Sequence, residues 1–415
     1  SGLREAPNNL GATADVELNR LAPSATVLEI CNHLENNDAL IVVGTTPEQA
    51  HNLFTVNNGD AQREWFDLIV IDEASQIDVA HAILPLCGIA DQGAVVLAGD
   101  PKQLPPIHQA EPPAGLEDLV GSAYAFFERL HAVPFSALDI NYRSNDEIVE
   151  FARQSGYRQS LQSHSPALRV EMIQPAPAIQ PADWPAGLHW TPEWSRFLDP
   201  GQPAVTFIYD DGQSSQRNVF EAEAVTALLT LLSGRVGNQL LNENDPVTGM
   251  PVPTTGTPYT PDEFWKKAVG VVTPHRAQQG LIVSRLIDAF GATGTLADSI
   301  RDAVDTVERF QGQQRDIMIA SYALGDPDQI QDEDEFLMSL NRFNVMASRA
   351  RAKLILLVSR QVVDHLANEV DVLRESRLLK VFAENFCNQS TSVTLGFHDA
   401  GGNAQQVTGT LRWHA

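Results

Sequence analysis

The sequence predicts an α/β fold built on parallel sheets, and three observations carry that reading. Short β-branched apolar runs recur along the chain and stop abruptly at polar residues. Each run is apolar on both faces, as suits a central parallel strand covered by helices on either side. Stretches of helical period lie between the runs, and strands alternating with helices give this fold class. The 415 residues have room for two to three domains at roughly 150 residues each.

Taken in order, strands are predicted at 39–43, 68–71, 94–98, 205–209, 269–272, 317–320 and 354–358, with helices at 220–232 and 278–290. Residues 163–203 are crowded with prolines and read as an extended connector. Residues 242–261 are rich in Pro, Thr and Gly and read as a long surface loop. The acidic stretch 326–335 reads as solvated. After Asn388 the Gly- and Thr-rich tail loses the rhythm and has no assignment.

Charge sets a first limit on partners. Against 28 Lys and Arg stand 53 Asp and Glu, a net charge of −25. A field of that sign repels phosphate, which weighs against a basic nucleic-acid coat or an anionic-membrane binder, though not against one local groove. No apolar run approaches the roughly 18 residues of a membrane span. The start, Ser1-Gly2-Leu3-Arg4-Glu5, lacks an initiator Met and the layout of a signal peptide. It resembles the scar of tag removal, so the sequence is expected to be a piece of something longer. Cys31, Cys87 and Cys387 are odd in number and lack metal-ligand spacing. Cys87, inside Ile83-Leu84-Pro85-Leu86-Cys87, reads as a buried thiol, and a reducing cytoplasm is the expected compartment.

In open parallel sheets ligands bind beyond the carboxyl ends of the strands, so the polar residues after each run are the candidates. Asp72-Glu73 follows 68–71. Such a pair suits a split of roles, one carboxylate holding Mg²⁺ and the other activating water, or else it caps a helix. Gly99-Asp100-Pro101-Lys102-Gln103-Leu104-Pro105-Pro106 follows 94–98. There Gln103 either senses a terminal phosphate or sits in a proline-rich turn. Asn141-Tyr142-Arg143-Ser144 precedes a predicted helix, and Thr273-Pro274-His275-Arg276 ends another strand. Thr306 to Asp316 precedes a strand, and Asn344 to Arg351 places two arginines two apart. Arg351 reads as a solvated face; an arginine that reaches a transferred phosphate is the alternative.

The order of these pieces resembles the up-frameshift type of superfamily 1 helicases, ATP-driven motors on RNA or DNA. Phe66 to Gln76 resembles motif II of that family and Gly99 to Pro106 its motif III. Asn141-Tyr142-Arg143-Ser144 is similar to the start of its second motor domain, while Gln311-Gly312 and Asn344 to Arg351 resemble motifs V and VI. The resemblance implies tandem RecA-like domains, with ATP and Mg²⁺ as cofactors, single-stranded nucleic acid as partner and 5′-to-3′ movement. It assigns Asp72 to Mg²⁺, Glu73 to water activation and Gln103 to the γ-phosphate, with Arg143 and Arg349 as finger residues. Tyr142 would lie near adenine, and Gly312 and Gln314 near the nucleotide. Thr45, Thr46, Thr273, Pro274 and Thr306 would line the strand channel, where hydroxyls and amides hold phosphates without net positive charge. Lys102 and Arg276 are weaker candidates.

Two departures qualify the likeness. None of the five lysines, Lys102, Lys266, Lys267, Lys353 and Lys380, follows a glycine with the spacing of a phosphate-cradling loop. The expectation is a fragment whose loop lies upstream in a longer protein, and which is inactive by itself; a non-catalytic scaffold derived from a helicase is the alternative. Gln314 stands where the family usually has Glu, and an amide too can bond a ribose hydroxyl. Glu308 stands where Asp is usual. The expected organisation is an N-terminal segment 1–38, the rest of a first RecA-like domain at 39–137, a second at 138–385 and a tail at 386–415.

Overall fold

The computed structural model describes residues 42–55, 66–106, 115–310 and 312–415. The segment 1–38, Cys31, most of the predicted strand 39–43 and Gln311 lie outside the described residues. The chain divides into two units, one of Ser1–Pro101 with Pro105–Pro134 and one of Lys102–Leu104 with Phe135–Ala415.

The first unit includes α1 (Pro47–Thr55), β1 (Phe66–Ile71), α2 (Val79–Leu86), β2 (Ile89–Leu97) and α3 (Ala123–His131). β1 and β2 pair in parallel, with Leu68 opposite Ala94 and Ile71 opposite Leu97. Asp78 starts α2 by accepting from the His81 amide at 2.8 Å, and Ser122 starts α3 by accepting from the Ala125 amide at 3.1 Å. Such caps satisfy amides that the first helical turn leaves unbonded. Successive strand residues face opposite ways. Ile69, Ile71 and Leu97 therefore pack with Ala82 and Ala123, while Leu68, Val70 and Val96 point outward at 55%, 59% and 47% exposure. Coverage of both faces, as the apolar runs predict, is not what the described residues show here. Val42 and Val43, at the end of the predicted strand 39–43, are not in a strand, and Val42 is exposed.

The second unit holds a seven-stranded sheet of order β10-β11-β5-β9-β8-β6-β7. Its strands are β5 (Ala204–Tyr209), β6 (Val269–Thr273), β7 (Val304–Thr306), β8 (Arg315–Ser321), β9 (Ala350–Ser359), β10 (Gln389–His398) and β11 (Ala404–Trp413). β5, β9, β8, β6 and β7 run parallel to one another. Every residue of β5, β6 and β8 is buried. Along β5, Val205, Phe207 and Tyr209 enter one apolar cluster, while Ala204 and Ile208 enter another on the opposite face. Here both faces are covered as predicted. A separate parallel pair, β3 (Ile140–Asn141) with β4 (Gln162–Ser163), precedes the sheet and flanks the helix α4 (Asp146–Gln154).

Three readings of the sequence need correction, and the unassigned tail takes a definite structure. The proline-rich stretch 163–203 is not a spacer: Leu168, Val170, Trp184, Trp194, Phe197 and Leu198 are all buried in the main core. Prolines shape its turns, but its apolar side chains remove far too much area from water to stay undocked. The tail forms the hairpin β10–β11, whose second strand pairs antiparallel with β5 from Gly409–Tyr209 to Trp413–Val205. The acidic stretch 326–335 is only partly solvated. It holds a short helix (Pro327–Asp332), Ile330 is buried, and Asp334 Oδ2 lies 3.0 Å from His365 Nε2. Cys87 is half-buried, its thiol donating to the Ile83 carbonyl at 3.4 Å, whereas Cys387 is the fully buried one. Among the described residues no helix is long and apolar enough to cross a membrane.

Candidate functional site

In the first unit, the chemistry sits where β1 and β2 end. Asp72 Oδ1 accepts from the Glu73 amide at 3.0 Å, and Glu73 Oε2 accepts from Gln76 Nε2 at 2.7 Å. Glu73 occupies the left-handed region (φ 53°), which non-glycine residues avoid unless the surroundings impose it. The Ala74 amide donates to the Ala98 carbonyl at 2.8 Å, and the Asp100 amide to Ser75 Oγ at 3.3 Å. These bonds bring the turns after the two strands together, and a Cβ on Gly99 would come within 2.8 Å of the Ser75 amide nitrogen. Only glycine fits that approach. Asp72 is exposed and Glu73 half-buried, and the two carboxylates stand at the strand end, each held by one N–H donor.

Thr45 and Thr46 are exposed ahead of α1, and Thr46 Oγ1 accepts from the Gln49 amide at 3.4 Å. Thr46 thus starts a helix, a local duty that any contact with a ligand would have to share.

In the second unit, segments far apart in sequence converge on the starts of β8 and β9. Asn141 Oδ1 accepts from the Arg143 and Ser144 amides, each at 2.8 Å. Ser144 Oγ donates to the Ala350 carbonyl at 2.7 Å, the Asn145 amide to the Arg351 carbonyl at 3.0 Å, and Asn145 Nδ2 to the Ala352 carbonyl at 2.9 Å. Asn145 also caps α4, its Oδ1 accepting from the Ile148 amide at 3.1 Å. So fixed, Arg143 donates through Nε to Gln314 Oε1 and through Nη1 to the Ser348 carbonyl, both at 3.0 Å. Arg349, at the end of the helix Leu340–Ser348, is 1% exposed and donates from Nη2 to Gln103 Oε1 at 2.5 Å. Asn344 Nδ2 donates to the Lys102 carbonyl at 2.8 Å.

The structure thus gathers Gln103, Arg143, Gln314 and Arg349 around one corner of the second unit. Tyr142 is exposed and lies against the His164 ring, 4.6 Å between centroids. Gly312 is exposed at φ 78°. Glu308 pairs with Arg342 at 2.9 Å. Arg276 is exposed at the start of the helix α6 (Arg276–Phe290).

Thr273 and Thr306 end neighbouring strands, directly opposite one another. Thr273 is fully buried, Pro274 is buried and Thr306 is 7% exposed, and Thr273 Oγ1 is a buried hydroxyl with no hydrogen-bond partner among the described residues. Beside them His275 Nε2 lies 3.5 Å from Glu333 Oε2. Burial lowers the His275 imidazole below its usual range, against the nearby Glu333 charge.

One side chain escaped the reading of the sequence, and another was misread. Gln278 is buried, accepting from the Asn218 amide at 2.8 Å and donating to Ser321 Oγ at 3.1 Å, which ties three strand-end segments together. Arg351 is not on a solvated helical face. It lies in β9, and its guanidinium reaches Asp316 and Glu243.

A family model described as an AAA domain matches residues 122–361, and a second AAA-domain model matches residues 31–111. The chain is 23% identical to the DNA replication ATP-dependent helicase/nuclease dna2 of Schizosaccharomyces pombe, over 77% of this chain and 21% of that protein. It is 26% identical to the probable helicase senataxin of Homo sapiens, over 70% of this chain and 9% of that protein. It is 23% identical to the DNA polymerase alpha-associated DNA helicase A of Saccharomyces cerevisiae, over 80% of this chain and 44% of that protein. The chain therefore spans less than half the length of each of these relatives. A solved structure, the PRRSV helicase, overlaps with a TM-score of 0.30 at 13% identity, over 82% of this chain and 41% of that one, too slight a likeness to bear on the fold.

Proposed function

We infer, for a chain that belongs to the AAA-domain family and within it to the up-frameshift-like superfamily 1 helicases, that it supplies most of the motor of a protein that hydrolyses ATP to move along and unwind nucleic acid. One observation carries this reading most of the way. Arg143 bonds both Gln314 and the carbonyl of Ser348, so three segments separated by up to 205 positions meet at one basic corner. A cluster of arginines with amides beside them is what charge on a transferring phosphoryl group requires.

Taken unit by unit, adjacent carboxylates at a strand end suit a hard cation such as Mg²⁺, and guanidinium groups with an amide suit phosphate oxygens. Bound Mg²⁺ would supply charge neutralisation at the phosphates of ATP. Asp72 would hold the cation directly or through water. Glu73, its carboxylate oriented by the Gln76 amide, would take the proton of the attacking water. Gln103 would report the terminal phosphate, and Arg143 and Arg349 would stabilise the transferring charge, a contribution of about 10³ to 10⁵ in rate for such arginines. Tyr142 would flank the base, and Gly312 and Gln314 would contact the nucleotide. Thr45, Thr46, Thr273, Pro274 and Thr306 would face a single strand of DNA or RNA, followed 5′ to 3′. Thr273 is buried as it stands, so that contact needs the strand end to open.

The test is ATP hydrolysis by the whole protein with and without single strands of RNA or DNA. Stimulated turnover is expected, lowered about 10² to 10⁴-fold by Glu73→Gln, with little turnover by these 415 residues alone. Nucleic acid bound without turnover would favour a non-catalytic scaffold instead. A duplex with a 5′ or a 3′ single-stranded tail reports the direction of movement.

A further inference from the structure

Arg351 anchors a small ionic cluster that the roles above leave without a purpose. Its Nη1 donates to Asp316 Oδ1 at 2.8 Å and its Nη2 to Glu243 Oε1. Tyr259 donates its hydroxyl to Asp316 Oδ2 at 2.5 Å. Asp316 is 1% exposed, and burial raises its carboxyl above the usual range in spite of the Arg351 charge. Asp316 and Arg351 belong to the sheet, whereas Glu243 and Tyr259 belong to the long loop 242–261. One guanidinium therefore fastens the loop to the sheet.

Its position gives the fastening a consequence. β8 and β9 are parallel neighbours with Arg315 opposite Ala350. Gln314 stands just before β8 and Arg349 just before β9, each two residues from a member of the cluster. The Arg315 amide donates to the Arg349 carbonyl at 3.1 Å, and Ser144 Oγ to the Ala350 carbonyl at 2.7 Å. Little slack remains between Arg351 and Arg349. A planar guanidinium held by two carboxylates has its direction over-determined, which an ammonium would not match.

We propose that Arg351 is a positioning residue that sets Arg349 and Gln314, and that Glu243 is its anchor on the loop 242–261, which makes that loop a control element of the nucleotide-facing corner. The proposal rests on the motor reading above. Glu243 is the clean place to test it. Its side chain is 29% exposed, and without it Arg351 and Asp316 remain a neutral pair, so the fold keeps its buried charges matched.

In the whole protein, Glu243→Gln is expected to lower the kcat of nucleic-acid-stimulated ATP hydrolysis roughly three- to tenfold, with the KM for ATP and the melting midpoint unchanged. Glu243→Asp, which keeps a carboxylate on the loop, is expected to recover most of the turnover. An unchanged kcat overturns the proposal, as does a lowered melting midpoint with normal turnover per folded molecule, or a rise in KM alone. Wild-type protein that hydrolyses no ATP overturns the motor reading and this proposal together, so the two failures are told apart by the wild type.

Discussion

Glu221, on the helix α5 (Val219–Leu232) of the second unit, is fully buried and surrounded by donors. Tyr209 donates its hydroxyl to Oε1 at 2.6 Å, and Ser321 Oγ and the Ala323 amide donate to Oε2 at 2.5 and 2.9 Å. Burial nevertheless pushes its carboxyl up to about 7 from 4.5. Because the folded state holds this proton more tightly than the unfolded one, the group's contribution is complete below pH 4.5 and declines as the pH rises toward 7. The difference amounts to about 3 kcal/mol. Glu221→Gln has no such proton, so its stability relative to wild type is expected to rise by about that amount from pH 4.5 to 7, read from urea midpoints. A flat difference would show the carboxylate to be as well solvated by its donors as by water. At this scale the sequence was legible where a side chain's neighbours in the chain define its task. The place of Asp72-Glu73 directly after the strand Phe66–Ile71 is such a case. Glu221 and Arg351 were not legible, because their partners lie up to 108 positions away.

The hairpin β10–β11 is the element whose role depends most on where the chain folds back. Val393, Leu395 and Leu411 are buried in the main core, while Gln389, Ser390 and Ser392 are exposed. Gly409 is required beside β5, where a Cβ would meet the Ile208 carbonyl oxygen and the Phe207 ring at 2.6 Å. Leu395→Ala is expected to destabilise the second unit by about 2–5 kcal/mol, the usual cost of such a cavity, as read by denaturant unfolding. A loss below 1 kcal/mol would mean that the hairpin is an appendage. Its turn had a local signature: Asp399 Oδ1 accepts from the Gly401 and Asn403 amides, both at 2.9 Å, in a run of Asp, Gly and Asn. What hid the strands was their Ser, Thr and Gly content, which weakens the apolar alternation by which half-buried strands are read. The central strands were plain for the opposite reason, since burial on both faces leaves few polar residues to interrupt their apolar runs.

For the whole molecule, the net charge of −25 bears on how a strand of nucleic acid would be held. Phosphates would be met at a few places, by backbone amides, hydroxyls and local cations, within a field that repels them overall. Binding of single strands by this chain is expected to be weak and to fall steeply between 50 and 200 mM salt, with a slope near −0.7 per phosphate contacted, measured by fluorescence anisotropy. Tight binding that ignores salt would contradict it. The sequence by itself determined the fold class, the order of the central strands along the chain and the polar residues that end them, because strand burial and strand-end chemistry are written in contiguous residues. Only the tertiary structure decided that the proline-rich stretch belongs to the core, that the tail completes the sheet, and that Arg351 is held between Asp316 and Glu243. Those outcomes depend on which distant surfaces exclude water together and which buried charges find a counter-charge, and local sequence contains neither term.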